Sequence, residues 1–445
     1  MNSDYSADVI VVGGGTAGSL FAWRMAELGH RVIVFEKRDL GELGEAIEIF
    51  HMEKIRFEEF DIPHPSPPEL IHTEDISFTY SPDLQVKVPV RGTFYVMHMP
   101  LFMQRLHAYA QKAGAVFIEN AAINELIIEG GSLVGLRGSK DGEPFEARAK
   151  LIVDASGLAG AVRTRLPQSF GVENDPVSPE KCLYVCLELR SDIPTGYPTG
   201  SNGYMFYKAF WNKSYGEDVV LGIGQPNSFD YAWQKHEEWR EIYFDNPGKV
   251  VARRQGAIPF TRTPLSLVGN GFMVVGDAAN QNKPFSGEGV TSGFTAVAIA
   301  AEVADKALRK GDTSAKSLWD YNVRYHQGQG AKFAAGFAQL PATVELSEKD
   351  VNYLFRKGII FTSEDFETLN QAYEIQISTP KLISIAAALI WGVITGQFSF
   401  ASLQTFIKKS SQAGQIKKHY SNFPEDPENF NSWAKEAKQL WNEAQ

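Results

Sequence analysis

The chain has 445 residues, enough for two or three domains and a large buried core, and its 44% hydrophobic content is ordinary for a globular protein. A formal net charge of −10 argues against nucleic acid as a partner, because phosphate contacts need clustered Lys and Arg. The short acidic start MNSDYSAD does not resemble a signal peptide, so a reducing cytoplasm is the expected compartment.

The first elements predicted are strand, glycine turn, helix and strand. ADVIVVG is an apolar run rich in Val and Ile, GGTAGSLFAWRMAELG turns and becomes helical, and HRVIVFEK is a second buried strand. Together they form a βαβ unit on a parallel sheet. Gly13-x-Gly15-x-x-Gly18 opens the helix, and Glu36 ends the second strand. Gly13 permits the tight turn, Gly15 lets backbone approach a pyrophosphate, and Gly18 lets the helix pack on the strand. The helix N-terminus adds N–H groups and partial positive charge. Glu36 is placed to accept hydrogen bonds from a ribose diol. This fingerprint alone leaves NAD and FAD open.

Residues 50–100 read as an irregular loop carrying Pro63, Pro65, Pro67 and Pro68, followed by short strands. Residues 100–113 read as an amphipathic helix, and AVFIE, INELIIEGGSLVGLRG and EARAKLIVDAS as strands. LIVDASGLAGAVRTRL then places Asp154 and Gly157 after a buried strand, with Arg163 following. Residues 180–260 alternate like an antiparallel sheet with long loops. In that region Cys182 and Cys186 share a strand face, but four residues span roughly 13 Å, beyond the ~7 Å reach of a disulfide. GFMVVGDAANQNKPFSGEGVTSGF places Gly276 and Asp277 after another strand, then Pro284, Gly287, Glu288, Gly289 and Val290 at the start of a long helix. Asp277 suits a ribityl hydroxyl. The GEGV turn offers N–H groups and a helix dipole to the electron-rich pyrimidine side of a reduced flavin. The three segments, in this order, select FAD.

The predicted fold is α/β: a Rossmann-type FAD-binding domain over residues 1–175 and 250–330, sharing region 50–100 with an inserted antiparallel β-sheet substrate domain at 176–249, then a helical C-terminal region at 331–445. Within the last region Leu382–Thr395 is apolar nearly all round and too short to span a bilayer. It reads as a buried helix, or else as a lid or interfacial helix. Lys408, Lys409, Lys417 and Lys418 follow it, as a solvated face or as contacts to anionic lipid head groups. The nine histidines show no metal-ligand spacing. His98 and His107 read as packing or surface residues, whereas His51 and Glu48 follow the flavin-side loop and are better functional candidates.

The three glycine-containing segments resemble the flavoprotein group of aromatic hydroxylases, tryptophan halogenases and geranylgeranyl reductases. The resemblance is greatest to the geranylgeranyl reductase family. DASG followed by an arginine fits that family's middle motif, and GAIPFTRTPLSLVGNGFMVVGDAANQNKPFSGEGV is similar to its later strand, GD motif and Gly-rich turn. EVADKALRKGDTSAKSLWDYNVRYHQ and IKKHYSNFP also resemble it. Leu43 stands where the family often has Cys, Met99 where many relatives have Arg or Gln, and GYMFYKAF lacks the Trp and Pro of the family's Y-x-W-x-F-P substrate motif. A halogenase W-x-W-x-I-P segment is absent, and Gly328-x-Gly330 lies in a helical region rather than after a strand.

The resemblance implies non-covalent FAD held by Gly13, Gly15, Thr16, Ala17, Gly18, Glu36, Lys37, Arg38, Gly44, Glu45, Ala46, Ala122, Asp154, Gly157, Gly276, Asp277, Pro284, Gly287, Glu288, Gly289 and Val290. It implies reduction of carbon–carbon double bonds in an apolar, isoprenoid-like substrate, with electrons from a nicotinamide or a protein carrier. Tyr204 and Phe206 are the expected substrate contacts, and Glu45 and Tyr204 the expected proton donor or positioning groups. Peripheral membrane contact is a further expectation. Rival readings are a flavin monooxygenase and a non-enzymatic electron carrier or lipid-binding flavoprotein.

Overall fold

A computed structural model describes residues 4–192, 200–202, 207–211, 219–243, 248–344, 346–358, 362–375 and 378–444. Among the described residues the fold is α/β, built around two eight-stranded sheets. In the first, Tyr5–Val12 lies between the parallel strands Val32–Phe35 and Glu143–Asp154, and Phe272–Val274 extends the parallel set beyond Asp154. Val9, Ile10 and Val11 have no exposed surface, as expected where helices cover a parallel sheet. Helix Thr16–Glu27 packs against helix Val290–Lys310 there. The register matters for function. Phe35, Val12, Asp154 and Val274 stand side by side, so four parallel strands end on one line. A crevice outside the carboxyl ends of such strands is the usual ligand site of an open α/β sheet.

The second sheet runs in the order Lys249–Pro259, Cys182–Ser191, Val219–Gln225, Tyr207–Trp211, Gly200–Asn202, Leu70–Tyr80, Lys87–His98 and Ile49–Glu53. Region 50–100 is therefore less irregular than its sequence reads. Two of its strands have 11 and 12 residues and form a long antiparallel pair. Register shifts at Leu70/His72 and Glu74/Ile76 break the alternation that would have announced them.

Region 180–260 differs from expectation in one element. Helix Phe229–Tyr243 crosses the sheet, burying Ala232, His236 and Trp239 at helical spacing. It is tied down through Glu188, which is fully buried and lies 2.6 Å from Arg190 Nε, 2.9 Å from Arg253 Nε and 3.1 Å from His236 Nε2. Cys182 and Cys186 are free and buried, and burial pushes the Cys186 thiol up to about 12, so it is inert as a nucleophile.

The C-terminal part is helical, and Gly328 and Gly330 sit in a π-helical turn at His326–Gly330. Helix Thr379–Ile394 corrects the buried-helix reading. Ile385, Leu389 and Gly392 pack inward, but Leu382, Ile383, Ile390, Trp391 and Ile394 are exposed, Ile394 by 71%. The lysine cluster does not form one basic face. Lys409 is buried on the Ala444 carbonyl and Lys417 pairs with Glu374, leaving Lys408 and Lys418 exposed. Among the described residues no helix is long and apolar enough to cross a membrane.

Candidate cofactor and active site

The glycine turn sits where the first strand ends. Gly13 has φ +106°, and a Cβ there would lie 2.4 Å from the Ala155 carbonyl oxygen. A Cβ on Gly18 would lie 2.0 Å from the Gly13 carbonyl oxygen. These two glycines are required by packing. Gly15 differs: nothing lies within 4 Å of its missing Cβ, and it starts a helix with neither a side-chain cap nor an acidic residue in the first turn. Uncapped N–H groups facing open space fit an anionic diphosphate. Gly15, Thr16 and Ala17 are the partly exposed residues of this buried turn.

Glu36 is 6% exposed and accepts the Gly14 N–H at 2.8 Å and the Arg38 N–H at 3.1 Å. Each carboxylate oxygen keeps a lone pair for a further donor. His107, which the sequence placed in packing or on the surface, is buried with Nε2 2.8 Å from the Gly14 carbonyl oxygen; burial lowers its pKa, and the neutral ring can still donate that bond. Ser19 Oγ donates to the same carbonyl. His107 steadies the turn from below, a role visible only once helix Met99–Lys112 packs against it.

Asp154 faces inward. It accepts bonds from Ser156 N and Oγ, Val162 N and Arg163 N. Arg163, 2% exposed, reaches across to the Ala278 carbonyl at 2.8 Å, tying the middle motif to the GD segment. Asp154 is thus a scaffold for the cleft, and Gly157 (φ +68°) lies in the open loop it shapes. Ala122 is partly exposed, next to Ala121, whose N–H donates to the Glu36 carbonyl.

At the fourth strand end, Gly276 has φ +66°, and a Cβ there would meet Ala17 Cβ at 2.8 Å. Asp277 is half-buried at the cleft, where burial pushes its carboxyl up to about 6 against a hydrogen bond from Asn282. A Cβ on Gly289 would lie 2.9 Å from Asp277 Oδ1, so the Gly-rich turn closes directly on that carboxyl. Gly287 is pressed against Leu183 and Ile258 of the second sheet, and Pro284 against Gly336 of helix Ala331–Val344. The helix beginning at Val290 has no side-chain cap and no acid in its first turn. Buried Asn282 Oδ1, Ser286 Oγ and Thr291 Oγ1 make no hydrogen bond in the protein.

Across the cleft, Gly44 has φ +92°, and a Cβ there would crowd Met99 and Pro100 at 2.9 Å. The turn after it exposes Glu45 and Ala46, which line an open cleft of about 460 Å³ with Arg38, Glu42, Arg253, Arg254 and Gln255. Lys37 and Arg38 are exposed at its rim. Glu48 is buried and ion-paired with Arg254 at 2.7 Å, which accounts for it structurally. Tyr204 and Phe206 lie outside the described residues. The sequence reading missed Lys283. It is 1% exposed, 3.1 Å from Glu288 and 3.4 Å from Glu53, and the attraction of these carboxylates outweighs burial and raises its pKa. Among the described residues no three His, Cys, Asp or Glu side chains gather as a metal site.

The site residues fit FAD on the molecule's own terms: two uncapped helix N-termini, an open glycine, orphaned buried polar atoms and two carboxylates at parallel strand ends. A family model described as an NAD(P)-binding Rossmann-like domain matches residues 11–73. The chain is 26% identical to the digeranylgeranylglycerophospholipid reductase of Sulfolobus acidocaldarius, over 96% of both proteins. It is 27% identical to that of Methanocella arvoryzae, over 88% of this chain and all of the relative. A geranylgeranyl bacteriochlorophyll reductase-like protein from Thermoplasma acidophilum shares the fold with a TM-score of 0.71 at 19% identity, over 88% of this chain and 98% of that one. The flavin-dependent brominase Bmp2 does so with a TM-score of 0.61 at 16% identity, over 87% and 99%. The chain therefore has the Rossmann-type fold and the cofactor-site layout shared with flavin-dependent enzymes. Along nearly its whole length it is similar to digeranylgeranylglycerophospholipid reductases.

Proposed function

We propose that this protein reduces carbon–carbon double bonds in the isoprenoid chains of a membrane lipid. The observation that carries this reading is the similarity, over 96% of the chain, to a reductase of digeranylgeranylglycerophospholipid. FAD would lie along the strand ends, its diphosphate on the Gly15 helix start, its adenosine ribose on Glu36 and its ribityl chain on Asp277. Bound and reduced, FAD supplies the hydride. The protein's part is to hold the alkene beside the turn at Gly287–Gly289 and keep water out, for which the second sheet pressing on Gly287 is suited.

Chemically reduced enzyme mixed anaerobically with a prenylated glycerolipid should re-oxidise its flavin and add two mass units per saturated bond. A panel of prenyl ethers and prenyl diphosphates that all leave the flavin reduced would remove the isoprenoid assignment. Turnover that needs oxygen would support the monooxygenase reading instead.

Such a substrate sits in a bilayer, and the exposed face of helix Thr379–Ile394 suits peripheral docking there. Sixteen residues make roughly 24 Å, short of the ~30 Å hydrocarbon core. Ile390, Trp391 and Ile394 are each more than half exposed. Burying an aliphatic side chain completely is worth about 1.5–3 kcal/mol. Replacing Ile390 and Ile394 with Ser should therefore weaken binding to lipid vesicles by roughly tenfold or more. With two lysines exposed after this helix rather than four, that binding should change little between low and high salt. Wild-type protein that stays in the supernatant with vesicles at any salt would assign this face to something other than lipid.

A further inference from the structure

Saturating an alkene takes a proton as well as a hydride. Glu45 is exposed on the cleft shared with Arg253 and Arg254. A different group is built into the flavin-side turn itself. His51 lies on Ile49–Glu53, the edge strand of the second sheet that begins just after the turn at Glu45–Ile47. Its Nε2 is 3.2 Å from Glu288 Oε1, and Glu288 stands between Gly287 and Gly289. The other oxygen, Oε2, takes Lys283 Nζ at 3.1 Å, and the same ammonium lies 3.4 Å from Glu53.

The arrangement divides into a fixed half and an accessible half. Lys283 is 1% exposed, its ammonium held between two carboxylates and facing the Tyr373 ring at 5.5 Å. His51 and Glu288 side chains are each 30% exposed. Lys283 pins one oxygen of Glu288, and the other holds the partly exposed His51 imidazole. Among the described residues, further charges around this group are Glu74, whose carboxyl is raised by burial and lowered in part by His51, and Arg56, which faces Glu53 and lies over the Tyr373 ring at 4.7 Å. The Phe94 ring meets His51 edge-on.

Resting on the isoprenoid reductase reading above, we propose that His51 is the proton donor of this reaction, that Glu288 is its positioning residue, and that Lys283 is the buried cation that fixes Glu288. In the step, the alkene π bond breaks and two C–H bonds form. One carbon takes the hydride, which oxidises the reduced cofactor by two electrons, and the other takes the proton of the His51 imidazolium. The neutral ring is then reprotonated from solvent through its exposed edge.

The test uses the full-length, FAD-loaded protein. His51→Gln should slow anaerobic re-oxidation of reduced enzyme by a prenylated glycerolipid roughly a hundredfold, the lower end of what a positioned acid contributes. FAD affinity and the oxidised flavin spectrum should be unchanged. Glu288→Gln should move the pH midpoint of that rate downward, and with it the titration of the His51 ring resonance followed by NMR in oxidised, lipid-free enzyme. Removing an adjacent carboxylate does both. A His51→Gln enzyme within threefold of wild type, or with the wild-type pH profile, would overturn the assignment. So would a His51 resonance whose midpoint is the same with Glu and Gln at 288, a result read without turnover. Wild-type enzyme that no prenyl lipid re-oxidises would overturn the isoprenoid reading itself, and the NMR comparison would still decide whether the pair is coupled.

Discussion

Asp154→Ala should lower stability by about 3–5 kcal/mol and release FAD, because one buried carboxylate organises the whole central wall of the cleft. It accepts the N–H groups of Ser156, Val162 and Arg163, with bonds of 2.7–3.0 Å, and the Ser156 hydroxyl at 2.6 Å. Alanine leaves those donors unsatisfied and removes the carboxylate charge that acts most strongly on the buried Arg163 guanidinium. Arg163 is also the strut to the Ala278 carbonyl, so the loss reaches the segment carrying Asp277. Asp154→Asn keeps the shape and one acceptor and should cost distinctly less. Denaturant midpoints, with free flavin fluorescence read alongside, measure both effects. Wild-type stability and FAD retention in the alanine variant would show that the loop holds its shape without this carboxylate.

Glu188→Gln should cost about 3 kcal/mol at neutral pH, with a cost that disappears in acid. Burial alone would raise the Glu188 carboxyl, but His236 and Arg190 outweigh it and hold it at about 2, against an ordinary value of 4.5. A carboxyl depressed on folding stabilises the native state fully above its unfolded value. That contribution is lost as pH falls from about 4.5 towards 2. The stability gap between wild type and variant should therefore be constant from pH 7 down to about 5 and then close. A gap that is flat down to pH 2.5 would mean that the loss comes from packing and not from charge. The expected site of damage is the attachment of helix Phe229–Tyr243 to the second sheet, with the FAD domain unaffected.

The cofactor half of this molecule was readable because its determinants are local. Gly13, Gly15, Gly18 and Glu36 fall within one βαβ unit; the steric demand at Gly18 comes from Gly13 itself, and that at Gly13 from Ala155, just past the end of the adjoining strand. The later strand ends at Asp154 and Val274 were recognisable for the same reason: a buried apolar run followed by an acidic or glycine turn. The second sheet was less legible. Its long pair Leu70–Tyr80 and Lys87–His98 hides behind register shifts, and the start of helix Phe229–Tyr243 rests on one residue, Ser228, whose Oγ accepts the Tyr231 N–H in a stretch that otherwise alternates like strand.

The sequence by itself determined the Rossmann-type unit, the FAD class and the order of the three cofactor segments, since each depends on backbone geometry that a few residues dictate. Only the tertiary structure decided what the polar residues do. Asp154 turned inward to a scaffold, Glu48 was taken by Arg254, and His107 moved under the glycine turn. Lys283, unremarkable in NQNKPF, became the centre of an ion network joining residues 53 and 288. The apolar stretch at Leu382 proved to be buried on one face and open on the other. The reason is range. A charged side chain's role is set by partners that arrive from elsewhere in the chain, and pairing and desolvation act through space, where sequence distance carries no information.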